Sequence, residues 1–237
     1  YKRHVRGLTL KNRVVMSAMG TLMVTGDKKV NQQIIDYLSE RARGGVGLVY
    51  PQCCSVHEPS ASAGQLSICN DDIAESHRPL TAAIHEAGGK CGLQLLQGAT
   101  CVFDAKILVP SDMEIYGTNL PGMSKAEINE VIEAYGAAAK RAVDVGYDIL
   151  EFHCGHGYLP HLFMNPTTNK REDEYGGSFE NRCRFPLECI KAIRANMPSD
   201  MPLSMRIVSR DDGFEVNTTI EETIEFCKQA KALGVDI

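Results

Sequence analysis

"SKAEINEVIEAYGAAAKRAVDVGYDILEFHC", residues 124–154, reads as a helix running into a strand with a single glycine between them. Ser124 followed by Glu127 predicts a capping box, in which each side chain accepts a hydrogen bond from the other's backbone N–H. The run to Gly146 is the clearest helix in the sequence, and Gly146 is expected to close it. "YDILEFHC" (147–154) is a β-rich strand. Strand and helix in alternation, with no hairpin signal between strands, predict parallel strands joined by covering helices.

The same unit repeats outward from this stretch. Upstream, the pattern predicts strands over 13–19, 46–53 and 90–97. Helices are expected between them over 31–45, where Ile34, Ile35 and Leu38 fall at helical spacing, and over 72–89. Downstream, a helix is expected over 178–197, with Pro186 near its first turn or bending it. A strand over 202–209, a helix over 219–234 and the start of a sixth strand at "VDI" follow. Five and a half alternations fit a (β/α) barrel or a doubly wound sheet. No G-x-G-x-x-G follows the first strand, which counts against a dinucleotide-binding start. A (β/α)8 TIM barrel takes roughly 250 residues. The expectation is therefore an α/β chain, one domain over 1–237, holding the first five to six βα units of a TIM barrel and ending within strand six.

A net charge of -5 and no Lys/Arg-rich run argue against a nucleic-acid partner. There is no apolar run long enough to cross a bilayer, and "YKRHVRGLTLKNR" lacks the apolar core of a signal peptide. A cytoplasmic location is expected, and homo-oligomers remain open. The nine cysteines are odd in number and form no C-x-x-C pair, so neither a disulfide framework nor a zinc knuckle is favoured. They are expected as free thiols, with Cys91, Cys189 and Cys227 packed as small apolar residues.

In such a barrel, chemistry sits at the C-terminal ends of the strands. Gln94, His153, His156, Tyr158 and Arg206 all fall on that rim, as expected of a site holding a planar polar ligand with a substrate above it. Singly, each has a structural reading: Gln94 in a polar layer of the barrel, Arg206 as an ion-pair partner of Glu151. "HCGHGYLPH" (153–161) has the residue types of a zinc site, but its spacing falls at a strand end, and no Asp or Glu is expected close by to orient the imidazoles. A clamp is the better reading and no metal is expected. Two imidazole N–H groups can grip one carbonyl oxygen, and the Tyr158 phenol can deliver a proton.

"LKNRVVMSAMG" near the start and "HCGHGYLPHLFMNPTTNKREDEYGGSFENRCRF" in the middle closely resemble the old yellow enzyme family of NADH:flavin oxidoreductases. The resemblance runs from about Gly7 to the last residue, and is nearest to the branch of 2,4-dienoyl-CoA reductase, 2-enoate reductase and the bile-acid-inducible flavin reductases. It implies an FMN-dependent ene-reductase. Hydride from NADH or NADPH would pass through flavin N5 to the β-carbon of an enoate, enoyl-CoA or enone. His153 and His156 match the family's substrate-oxygen clamp and Tyr158 its proton donor. Gln94 and Arg206 match flavin-ring contacts, and Ala18, Met19 and Gly20 match the strand-one segment under the ring. Cys53 is expected near the ring from strand two.

The sequence departs from that pattern in places. Gly20 stands where many relatives carry Thr or Cys, and Gln97 where His is frequent. Beyond the start of strand six, strands six to eight are missing from these residues; in the family, strands seven and eight hold the FMN phosphate. An iron-sulfur cluster and FAD would belong only to a C-terminal region beyond Ile237. Rival readings are a relative with another substrate, such as an amine dehydrogenase, and a cofactor-free barrel fragment that binds a partner.

Overall fold

A computed structural model describes residues 4–98, 104–115, 117–209 and 216–237. Five parallel strands form the main path of a seven-stranded sheet, which Cys54–Ser55 and Leu66–Ser67 extend to one side: β1 (Val15–Met16), β2 (Leu48–Val49), β3 (Lys90–Leu96), β4 (Ile149–Cys154) and β5 (Leu203–Ile207). Each pairs only with its sequence neighbours along this path, in the order β1-β2-β3-β4-β5. A doubly wound sheet reverses direction partway across; this one does not, so its crossover helices stay on one face, as in a barrel. The sixth strand begins as expected. Asp236 N–H donates to Leu203 O at 2.7 Å and Met205 N–H to Ile237 O at 2.9 Å.

The main covering helices are α1 (Gln32–Arg43), α2 (Arg78–Glu86), α3 (Lys125–Asp144), α4 (Phe179–Ala195) and α5 (Ile220–Ala232). The capping box of Ser124 and Glu127 is formed, and Thr219 with Glu222 builds a second one. Alternation along the strands separates two apolar bodies. Cys91, Leu93, Leu95, Leu150, Phe152, Cys154 and Leu203 point outward to the helices, where Tyr135 meets Phe152 edge-on at 5.3 Å. Leu48, Tyr50 and Ile149 point inward and pack with Leu8 and Leu10, which plug the barrel from the N-terminal side.

Several boundaries differ from the sequence reading. The helix expected over 72–89 is split into Asp71–Glu75 and α2, because Pro79 sits at the start of a helix whose N-cap is His77. Pro186 lies well inside α4 rather than in its first turn. "LPHLFM" (159–164) forms a short helix that the strand–helix pattern passed over. Two antiparallel hairpins lie outside the barrel, His4–Val5 with Leu8–Thr9 and Met113–Ile115 with Thr118–Leu120. Of the nine cysteines, the eight described are free, and Cys91 and Cys189 are buried as expected while Cys227 is half-buried. No described helix is long and apolar enough to cross a membrane.

Strand two was expected to run unbroken over 46–53, but it is interrupted. Val49 pairs with Cys91 and Cys54 with Leu95, so five steps on one strand answer four on the other. That extra residue is a β-bulge, which bends the strand and re-aims the side chains on it. Here it lays the Tyr50 ring over Gly92. A Cβ at Gly92 would meet Tyr50 Cε1 at 2.3 Å. Gly92→Ala should therefore push the ring out of the barrel and cost ~1–3 kcal/mol, the usual range for overpacking. Thermal unfolding measures it; an unchanged midpoint would show that Tyr50 yields without cost.

Candidate active site

Pairing across the three central strands stacks the polar residues in two rows. Glu151 is flanked by Gln94 on β3 and Ser204 on β5, and His153, two residues on, is flanked by Arg206. Alternation points both rows into the barrel. The lower row is a closed hydrogen-bonded layer. Gln94 Nε2 donates to Glu151 Oε1 at 2.6 Å, and Ser204 Oγ lies 3.3 Å from Glu151 Oε2. The Tyr50 hydroxyl completes it, 3.2 Å from Ser204 Oγ. Burial, reinforced by the Glu151 charge, raises the Tyr50 pKa above that of an ordinary phenol.

The upper row leads into a tight turn. His156 and Gly157 both have positive φ, 56° and 76°, and Tyr158 N–H closes the turn on Gly155 O at 3.2 Å. Positive φ at both central residues turns the chain sharply back, and histidine tolerates that conformation better than most non-glycine residues. The turn gathers three rings. His153 and His156 stand nearly perpendicular with centroids 5.3 Å apart, and Tyr158 meets His153 at 4.6 Å. His153 is 4% exposed, and its Nδ1 is buried with no hydrogen-bond partner among the described residues. Burial first, then the neighbouring His156 and Arg206, lowers its pKa to about 3, so the ring is neutral at physiological pH.

The other members of 153–161 serve elsewhere. The Cys154 thiol lies 3.6 Å from Met164 Sδ, on the helix side. His161 Nδ1 accepts from Gly157 N–H at 3.1 Å and braces the turn. Among the described residues no three His, Cys, Asp or Glu side chains gather as metal ligands.

Arg206 and His156 line one cleft of about 390 Å³ together with Val15, Ser17, Tyr50, Glu151, Met205 and Ile207. Arg206 is not the ion-pair partner of Glu151, whose oxygens face Gln94 and Ser204; among the described residues nothing hydrogen-bonds or ion-pairs with its guanidinium. Ala18, Met19 and Gly20 follow β1. Ala18 packs on the inner apolar cluster, Met19 is exposed, and a Cβ at Gly20 would meet nothing within 4 Å. Cys53 sits on the bulge of strand two, where its thiol accepts from Gln65 Nε2 at 3.0 Å and burial raises its pKa. Cys53 does not line the Arg206 cleft.

The most distinctive stretch of the sequence, 165–182, is scaffold. Asn169 Nδ2 donates to Phe163 O and Tyr175 O, both at 2.7 Å. Arg171 pairs with Asp173 at 2.6 Å and donates to Pro110 O and Met123 O. Gly176 lies so close to Arg171 O that a Cβ would approach it to 2.1 Å. These bonds fix the segment between β4 and α4, and with it the turn that carries His156 and Tyr158.

Comparison with known proteins identifies the family. The profile of the NADH:flavin oxidoreductase / NADH oxidase family matches residues 4–237. The chain belongs to that family. It is 38% identical over 238 residues to an NADPH dehydrogenase of Geobacillus sp. (strain WCH70), covering 98% of this chain and 69% of that one. It is 36% identical over 242 residues to an NADH oxidase of Thermoanaerobacter brockii, covering 98% of this chain and 37% of that one. Among solved structures, a 2-naphthoyl-CoA reductase in complex with 2-naphthoyl-CoA superposes with a TM-score of 0.89 at 29% identity, covering 98% of this chain and 38% of that one. The chain thus spans little more than a third of two of these relatives and about two thirds of the other. The family and the structural likeness bear out the TIM-barrel expectation.

The sequence reading allowed Gln94 a place in a polar layer of the barrel but missed the partners that form it. Tyr50 and Ser204 lie beside no recognisable motif, and the spacing signal that finds them is strand alternation across β3–β5 combined with a bulge that sequence does not announce.

Proposed function

We propose that this chain is the cofactor- and substrate-binding part of an FMN-dependent oxidoreductase that reduces an activated C=C bond with hydride from NADH or NADPH. When bound, FMN supplies the hydride chemistry. The donor set suits the ring: a guanidinium at Arg206 facing an open cleft, an amide at Gln94, and free space beside Gly20. A cation there favours the negative charge of a reduced flavin.

The observation that carries the reading is His153, a buried neutral imidazole whose Nδ1 has no partner among the described residues. A buried polar atom is costly to leave unpaired, so an unpaired one at a site calls for an incoming group. In our reading, His153 and His156 donate to the carbonyl oxygen of the substrate, where charge grows as hydride reaches the β-carbon. Tyr158, held against His153, gives its proton to the α-carbon. The substrate class is an enoate, enoyl-CoA or enone; the 2-naphthoyl-CoA bound by the structural relative is itself an unsaturated thioester.

The test is the complete protein under anoxic conditions. It should purify with FMN, be reduced by NADH or NADPH, and be reoxidised by at least one of an enoyl-CoA, a free enoate and an enone. Reduction without reoxidation by any of the three would overturn the substrate class. Absence of FMN would overturn the whole reading.

A further inference from the structure

We propose that Glu151 is a positioning residue for cofactor binding, holding the Gln94 amide in one orientation so that it meets the flavin ring with a fixed pattern of acceptor and donor. The inference rests on the flavin reading above. Its basis is the lower row of the barrel. A carboxylate only accepts hydrogen bonds, so Gln94 must face Glu151 with Nε2, and does so at 2.6 Å. Turning the amide over would set Gln94 Oε1 against a carboxylate oxygen at the same distance, two acceptors with no proton between them. A charge-assisted bond of this length is stronger than a neutral one, so the turned-over amide is excluded.

Glu151 is itself fixed from the other side. Ser204 Oγ lies 3.3 Å from its second oxygen, and the Tyr50 hydroxyl backs Ser204. The chain Tyr50–Ser204–Glu151–Gln94 thus runs from the bulge of strand two across β5 and β4 to β3. It leaves Gln94 Oε1 and one N–H for a ligand, and among the described residues nothing donates to that Oε1. The imide edge of an isoalloxazine carries an N–H donor beside carbonyl acceptors. A locked carboxamide is complementary to that edge without first having to be ordered, and pre-ordering of this kind raises affinity. Glu151 also borders the Arg206 cleft, but its part in this arrangement is exerted through Gln94.

A double-mutant cycle tests the inference in the complete protein, using Gln94→Ala, Glu151→Leu and the pair, with the FMN dissociation constant read by quenching of FMN fluorescence. Each single change should weaken FMN about tenfold, and the pair should be no weaker than the worse single. Glu151→Gln, which keeps the shape and allows the amide to turn over, should weaken FMN several-fold and shift the visible flavin band. It also serves if Glu151→Leu does not fold. Losses that multiply in the pair, or wild-type affinity and an unshifted band in folded Glu151→Gln, would overturn the inference and leave the flavin reading standing. A wild-type protein that binds no FMN would overturn both.

Discussion

Tyr158→Phe should separate the two halves of the reaction. The substitution keeps the ring that packs at 4.6 Å against His153 and removes only the hydroxyl. Reduction by NAD(P)H requires no proton on the substrate and should continue at nearly the wild-type rate. Reoxidation by the alkene should slow ~10²-fold or more, the usual range for losing a positioned general acid. The closed turn at Gly155–Tyr158 is unaffected, because it is held by backbone atoms and by His161. Stopped-flow traces of each half under anoxic conditions measure the effect. Equal slowing of both halves would remove Tyr158 as proton donor and leave it a packing partner of His153.

Arg182→Ala should give the largest loss of stability. The Arg182 side chain is 9% exposed and ties together three segments of the chain. Its guanidinium donates to Met164 O at 2.9 Å, to Gly177 O at 2.7 Å and to Glu222 Oε1 at 2.8 Å. Removing it takes the guanidinium from two carbonyls and a carboxylate at once, leaving, among the described residues, Met164 O only Thr218 Oγ1 at 3.4 Å and Glu222 only the Thr219 N–H. Breaking a buried pair from one side costs about 3–5 kcal/mol. For a chain of this size that lowers the unfolding midpoint by ~6–20 °C. Arg182→Lys should recover only the contact with Glu222, since an ammonium is a point charge and cannot span three acceptors in different directions. Thermal unfolding of both variants is the measurement. A midpoint within 2 °C of wild type for Arg182→Ala, roughly 0.5–1 kcal/mol at this size, would mean that water replaces the guanidinium at little cost.

The contrast between these residues shows what kind of information sequence carries. Tyr158 and His153 belong to one short stretch, so their juxtaposition was legible once the strand end was placed. Arg182 stands in the most recognisable motif of the chain, yet the motif marks a scaffold. Its glycine, asparagine and arginine are required by close backbone approach and by buried carbonyls, which constrain residue type as tightly as chemistry does.

The lower row shows the opposite case. Glu151 is two residues before His153, but its partners Gln94 and Ser204 are 57 and 53 residues away. Only the strand register brings the three side by side. A shift of one residue in either pairing would send every side chain to the other face. Sequence alternation fixes which face each residue takes within its own strand, but not which residue of the next strand lies beside it.

By itself, then, the sequence determined the order of strands and helices, the capped start of α3, and the cluster of His153, His156 and Tyr158. These depend on local properties: hydrophobic period, capping pairs, and residues that share one turn. The tertiary structure alone decided the bulge that lays Tyr50 over Gly92, the rejection of an Arg206–Glu151 pair, and the polar layer that locks Gln94. Each of these turns on register between distant strands, and register is set by packing of the whole barrel rather than by any segment within it.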